Sequence, residues 1–528
     1  MKSIVRCHPL VRAVLSLVLA AGLSGIALSD EVTLKVRADE PGDKISKYLY
    51  GQFAEHLGRG IYGGIWVGED SDIPNTRGFR NDVIEALKAL KIPVIRWPGG
   101  CYADEYHWRD GIGPRDERPV RINTHWGWVR ETNAFGTHEF MDLVEMLDSE
   151  AYIAMNIGSG SPREMAQWLE YMTADNDTAL SRLRRENGRE EPWDIDFVGV
   201  GNETWGCGGN MTPEYYTDLY KRYATFLKAP EGKRPKLVAS GGQNDNTDWT
   251  RAITEGTRGA GFFYQIHGIS HHYYTLPTGE WDTKGMSTGF PEEEWISTLS
   301  NTMRVDEYLD LNEAVLAEND PDGDIGIYLD EWGTWYDPEE GHEPGFLYQQ
   351  NSIRDALVAA LNFNIFHEHT DRLHMANIAQ TVNVLQAVVL TDGQDIVLTP
   401  TYHAFEMYIP FQDATYIPLE LGDVPDYELG DYSVPQVSAT AAVTGEGQLV
   451  VALVNLHADG EIDIAADVDG FDAGGASGRV LTGDSIDAHN TFDAPDSVRP
   501  QPLDVELDDS EMSVTLPPRS VSVITISR

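Results

Sequence analysis

From about residue 48 to residue 390 the apolar positions follow two alternating rhythms. Short, β-branched runs predict strands at 48–53, 94–96, 152–157, 197–201, 236–240, 266–272, 325–329 and 373–377. Between them the spacing changes to one apolar face per helical turn. Val83, Ile84, Leu87 and Leu90 share a face, as do Phe140, Leu143, Val144 and Leu147, and a longer helix is predicted over 347–366. Strand–helix alternation implies parallel pairing, since a parallel strand needs a long crossover to return, and eight units predict a closed (β/α)8 TIM barrel over 46–400. Past residue 400 the texture changes to short strands, at 448–455, 478–482, 512–516 and 521–526, divided by Gly, Asp and Pro turns. These predict an additional C-terminal antiparallel β-sandwich domain over 401–528, completed by residues 30–45 through the strand-like Val32-Thr-Leu-Lys-Val36. The stretch 456–500 reads as turns and exposed strands.

Two of the barrel strands end abruptly in a carboxylate: Val198-Gly-Val-Gly-Asn202-Glu203-Thr-Trp205 and Ile325-Gly-Ile-Tyr-Leu-Asp330-Glu331-Trp332. The carboxyl ends of barrel strands are where such folds build active sites, and a pair of glutamates there is what glycoside hydrolysis requires. Strict alternation along a strand puts Asp330 and Glu331 on opposite sides, one facing the pocket and the other held outside it. Asn202 suits a hydroxyl next to the reacting carbon. Trp108, Trp126 and Trp205 are candidate rim residues, whose rings can stack on sugar faces. His267, His271 and His272 invite a metal reading, but one strand cannot converge all three, and no further ligand cluster has the spacing. Neither a marked Ser/His/Asp set nor a phosphate-binding glycine loop occurs, since Gly199-x-Gly201 lacks the third glycine.

Composition adds three constraints. Lys and Arg number 39 against 85 Asp and Glu, a formal charge of −46, which disfavours nucleic acid as a partner and suits a saline setting. Lys2, Arg6 and Arg12 precede an apolar run over 13–28, and Ala27-Leu28-Ser29 offers small residues for cleavage. A cleaved signal over 1–29 and a secreted or periplasmic protein are therefore expected; the run is short of the roughly 20 residues a membrane anchor needs. Of the three cysteines, Cys7 lies in that segment. Cys101 and Cys207 follow two strand ends, and either a single bridge or two free thiols fits.

With these residues in view, the chain resembles the α-L-arabinofuranosidases of glycoside hydrolase family 51. The resemblance rests on Phe53-Ala-Glu55-His-Leu-Gly-Arg-Gly, Arg96-Trp-Pro-Gly-Gly-Cys101-Tyr-Ala-Asp-Glu-Tyr-His-Trp108, and Gly201-Asn-Glu-Thr-Trp-Gly-Cys207. It continues through Ser270-His-His272-Tyr-Tyr274, Asp330-Glu-Trp-Gly-Thr-Trp-Tyr336 and Ala379-Gln380-Thr-Val-Asn383. It implies retention of configuration, no metal or organic cofactor, a homo-oligomer, and arabinose-containing polysaccharides or oligosaccharides as substrates. It also implies Glu203 as acid/base and Glu331 as nucleophile, with Glu55, Arg96, Cys101, Asn202, Tyr274 and Gln380 around the arabinofuranose and His272 supporting the acid/base or the sugar. Cys101 stands where other members carry Asn. The rival readings are a β-xylosidase or endo-β-1,4-glucanase on the same scaffold and, from another class, a non-catalytic carbohydrate-binding protein.

Overall fold

Eight strands close into a barrel in chain order: β2 Gly51–Phe53, β3 Val94–Trp97, β4 Glu150–Met155, β5 Phe197–Val200, β6 Lys236–Ser240, β7 Gly268–Thr275, β8 Gly326–Thr334 and β9 Leu373–Ala379. A preceding strand, β1 Glu31–Arg37, lies outside the barrel. This computed structural model describes residues 31–243, 245–259 and 265–528; the signal expected at 1–29 falls outside the described residues. Neighbouring barrel strands all pair in parallel. Lower in the barrel, Val94, Tyr152, Phe197, Val238, Tyr328 and Met375 form one apolar cluster that plugs the interior. Above it the lining turns polar, with Arg96 and Asp330 both buried. Among the described residues no helix is long and apolar enough to cross a membrane.

The sandwich has a five-stranded sheet, in which β1 lies between Leu419–Gly422 and Ile462–Asp469, and a six-stranded sheet containing Val437–Val443, Leu449–Asn455 and Ser520–Ser527. All pairings in it are antiparallel except that of β1 with Ile462–Asp469. The strand Leu449–Asn455 is apolar up to Val454 because both its faces are covered. Leu449, Val451 and Leu453 point into the sandwich, while Val450, Ala452 and Val454 join the barrel's core cluster. The same contact explains the helix Ile353–Glu368, which is buried almost all round: the barrel covers one side and the six-stranded sheet the other. Asn364 donates to Ser438 (2.9 Å) across that joint.

Two irregularities matter for the site. Pairing of β7 with β8 slips between Ser270 and His272, and pairing of β8 with β9 slips between Leu329 and Trp332. A bulge of this kind breaks the two-residue alternation of side chains. Asp330 and Glu331 therefore both face the barrel interior, and the expectation that one lies outside is overturned. Trp332 points outward, edge-on to Phe363 and Phe366.

Candidate active site

At the carboxyl ends of the strands, side chains from six of the eight meet in one charged cluster. Arg96, on β3, is its hub. Its guanidinium donates to Glu331 Oε1 (2.7 Å), to Asn202 Oδ1 (2.6 Å) and to the Asp330 carbonyl (3.3 Å), and its Nε lies 3.4 Å from Asp330 Oδ2. The Phe53 ring stacks beneath it at 4.6 Å. Four such partners hold a buried cation in place and keep its pKa above the usual value: burial opposes the charge, but Asp330 and Glu331 outweigh it. Tyr274 donates to the other oxygen of Glu331 (2.8 Å). Glu331 thus receives one donor on each oxygen, which fixes the orientation of the carboxyl group.

Glu203 lies just past the end of β5, where the chain turns sharply. Gly201 has φ +94° and Glu203 itself φ +40°, in the left-handed region. Its Oε1 faces His272 Nδ1 at 2.9 Å, and the same nitrogen lies 3.5 Å from Glu331 Oε2. One oxygen of each glutamate and the histidine nitrogen lie within 4.8 Å of one another. His272 Nε2 approaches Asp330 Oδ1 (3.3 Å). Burial works against its charge, yet Glu331, Asp330 and Glu203 together push its pKa up to about 10, so the ring is an imidazolium at neutral pH. Asp330 goes the other way: against burial, Arg96, His272 and Ser270 hold it down to about 2. It also accepts from Tyr152 and Ser270, each at 2.6 Å.

Glu55, beyond β2, is 2% exposed and accepts from the Tyr102 backbone (3.0 Å), Trp126 Nε1 (2.9 Å) and Gln380 Nε2 (3.1 Å). Burial, with Glu331 nearby, raises it to about 7 despite those donors. The Gln380 side-chain oxygen is buried with no hydrogen-bond partner among the described residues, which is costly unless a ligand supplies one. The Pro98-Gly99-Gly100 turn has a steric cause here. A Cβ on Gly99 would sit 2.8 Å from Glu55, and one on Gly100 would sit 2.8 Å from Glu331. Cys101 and Cys207 are joined in a disulfide, with Cα atoms 5.5 Å apart, so the choice between bridge and free thiols resolves to the bridge. Its sulfurs lie 3.5 Å (Cys207) and 4.0 Å (Cys101) from Glu203 Oε2.

Outward from Glu203, His272 and Tyr274 a cleft of about 580 Å³ opens, walled by Trp205, Trp281 and Trp335. The three candidate rim tryptophans therefore separate. Trp205 lines this cleft, Trp126 reaches inward to Glu55, and Trp108 is fully buried, donating to the Glu164 carbonyl (3.1 Å). Trp108 is thus a core residue, a correction that follows from the Tyr171 ring packed against it at 5.1 Å. The three histidines also part. His267 accepts from the Leu237 backbone at the far end of β7, His271 bonds Tyr308 on the outer face, and only His272 faces the site. Sequence reasoning missed Asp330, Ser270 and Tyr152 as site members: alternation leaves only one of Asp330 and Glu331 facing inward, Ser270 stands in a family motif without an assigned role, and Tyr152 lies in no motif. Trp335 lies inside a quoted motif, whereas Trp281 has no sequence signal.

Comparison with known proteins agrees with this geometry. Residues 86–284 match the family model "Alpha-L-arabinofuranosidase 1 domain", and residues 330–520 match "Alpha-L-arabinofuranosidase C-terminal domain". An intracellular exo-alpha-L-arabinofuranosidase of Bacteroides ovatus is 45% identical over 96% of this chain and 98% of its own. The crystal structure of the family 51 arabinofuranosidase of Xanthomonas axonopodis pv. citri is 49% identical and superposes with a TM-score of 0.92, covering 94% of this chain and all of that one. That of the Thermotoga maritima enzyme, an arabinose complex, is 32% identical with a TM-score of 0.82, covering 94% and 99%. The expectation of a secreted or periplasmic protein is overturned by the first of these, a relative over nearly its whole length whose name places it inside the cell. With a relative 45% identical over nearly the whole chain and a family 51 structure superposing on it, the chain belongs to the α-L-arabinofuranosidases of glycoside hydrolase family 51.

Proposed function

We propose that this chain is a retaining, exo-acting arabinofuranosidase in which Glu331 is the nucleophile and Glu203 the acid/base. The observation that carries the reading is the approach of the two glutamates, one oxygen of each within 4.8 Å. Retaining enzymes hold the pair about 5–5.5 Å apart, whereas inverting ones need roughly 6.5 Å or more to admit a water. Glu331 attacks the anomeric carbon, the bond to the leaving oxygen breaks, and Glu203 delivers the proton to that oxygen. In the second half Glu203 takes a proton from water as the water attacks the same carbon and the ester to Glu331 breaks. His272 holds the Glu203 carboxyl in line by its 2.9 Å contact.

Glu55, Asn202, Gln380 and the Cys101 bridge form the sugar pocket in this reading. The orphaned Gln380 oxygen accepts from one hydroxyl, and Asn202 Nδ2, whose closest partner is a sulfur at 3.8 Å, donates to the 2-hydroxyl. Trp126 over Glu55 closes the far end, which supports attack on terminal residues only. The cleft past Glu203 then takes the polymer, arabinoxylan or arabinan. The named activity of the B. ovatus relative supports the same choice over a β-xylosidase or glucanase. Proton NMR of the anomer first released from an aryl α-L-arabinofuranoside tests the mechanism: the α-anomer is expected, and initial β-anomer sinks it. Comparing arabinose release from arabinoxylan and arabinan tests the substrate. A homo-oligomer, which the family resemblance implies, is tested by light scattering on the eluting protein.

A further inference from the structure

The strained turn that carries Glu203 is not held by the barrel alone. The segment between Gly201 and Cys207 leaves β5 with Glu203 in the left-handed region, a conformation that persists only where surroundings impose it. Some restraint is local, since the Glu203 carbonyl accepts from the Gly206 and Gly208 backbones (2.7 and 3.1 Å). The barrel adds Ser240 of β6, whose Oγ accepts from the Thr204 backbone (3.3 Å), and His272 at the Glu203 carboxyl; further restraint comes from one short element, the 3₁₀ turn Cys101–Asp104 after β3. At its start Cys101 is bonded to Cys207. At its end Asp104, buried, accepts from the backbones of Ile157 (2.8 Å) and Gly158 (2.7 Å) past the end of β4 and lies 3.4 Å from the Asn202 nitrogen. The packing is tight enough that a Cβ on Gly208 would come within 2.9 Å of the Asp104 carboxylate. Both struts join the segment that carries Glu203, one at Cys207 and the other at the Asn202 nitrogen.

We propose that the Cys101–Asp104 turn is a two-point positioning clamp for the acid/base, one strut covalent and reducible, the other a carboxylate on backbone N–H groups. Asp104 and Cys207 are positioning residues in this account. Releasing either strut lets the Glu203 turn relax and misplaces its proton, while Glu331, held by Arg96 and Tyr274 from other strands, stays where it is. In the reduced state a dithiol attacks the bridge: the Cys101–Cys207 bond breaks, two electrons and two protons pass to the cysteines, and the reagent closes to its own disulfide.

The inference rests on the proposed roles of the two glutamates, and the experiment separates the two. Full-length enzyme is assayed for kcat/KM on 2,4-dinitrophenyl α-L-arabinofuranoside, whose leaving group needs no proton, and on an arabinofuranosyl xylo-oligosaccharide, whose leaving group does. A wild type that hydrolyses neither ends the proposed function itself. Otherwise Asp104→Asn, Cys207→Ala and the wild type reduced with dithiothreitol are compared, with free thiols counted and folding followed by near-UV circular dichroism. The expected result is a loss about tenfold greater on the oligosaccharide than on the activated aryl glycoside. Equal losses on both substrates, or no loss once two thiols more than in the unreduced enzyme are counted, overturn the clamp. If a variant fails to fold, the reduced wild type decides.

Discussion

The two strand ends that carry Glu203 and Glu331 look alike in sequence and are built differently. Glu331 sits within β8, its side chain 7% exposed, and each of its oxygens is engaged by a side chain rooted in another barrel strand. Glu203 sits past the end of β5, its side chain 19% exposed, in a turn secured by loops. The first carboxylate is therefore part of the barrel's own charge balance, while the second is mounted on it. This division suits their proposed chemistry, because a nucleophile needs a fixed ionised oxygen and an acid/base must trade a proton with leaving group and water in turn.

The comparison can be broken from either side. Glu331→Ala is expected to lower kcat by about 10⁴-fold or more on every arabinofuranoside, activated or not, since no other group can form the ester. Residual turnover above that level would move the nucleophile elsewhere. Glu203→Ala is expected to cost about 10²–10³-fold in kcat/KM on oligosaccharides and far less on an activated aryl glycoside. A loss independent of leaving group would remove the distinction between the two ends.

Stability should separate them next. Arg96→Met leaves the buried Asp330 and Glu331 with His272 as their one remaining cationic neighbour among the described residues, and a loss of about 3–5 kcal/mol in urea unfolding is expected. Glu203→Ala should leave the unfolding midpoint near that of the wild type. A smaller effect concerns His272. Its pKa rises from 6.5 to about 10 on folding through Glu331, Asp330 and Glu203, so its charge stabilises the fold fully below pH 6.5 and ceases to as pH passes about 10. The stability gap between wild type and His272→Gln should thus be widest near pH 6 and close above pH 10; a gap constant in pH would mean the ring is neutral. The smallest expected effect is of salt. Screening the −46 surface should stabilise wild type and Arg96→Met alike, leaving their difference intact, because the Arg96 pairs are buried. A difference that shrinks with salt would place those pairs in contact with solvent.

Much of the architecture was legible because burial leaves a period in the chain. Each of the eight anticipated strands overlaps a barrel strand, and 197–201 and 236–240 nearly coincide with Phe197–Val200 and Lys236–Ser240. The 80–90 and 138–147 helices lie within a residue of Asn81–Ala89 and Thr137–Leu147. Periodicity failed where the backbone departs from regularity. The slips in β7 and β8 are invisible in Ser270-His-His272 or in Leu329-Asp-Glu-Trp332, so alternation left only one of Asp330 and Glu331 facing inward. Trp108 shows a second limit. An aromatic residue in a polar loop looks available for stacking, but Tyr171 packs against it at 5.1 Å from a helix some sixty positions away.

By itself, the sequence determined the order and kind of the elements, the barrel with its sandwich, the family, and the glutamates and arginine that could do chemistry. These follow from local periodicity and from motifs contiguous in the chain. Only the tertiary structure decided that Asp330 and Glu331 both enter the site, that Cys101 and Cys207 join, that His272 is shared among three carboxylates, and how close Glu203 comes to Glu331. Each of these depends on residues more than 50 positions apart meeting within a few ångströms, or on a one-residue slip in pairing. Neither leaves a trace in the local pattern, because long-range closure and register are set by the packing of the whole barrel.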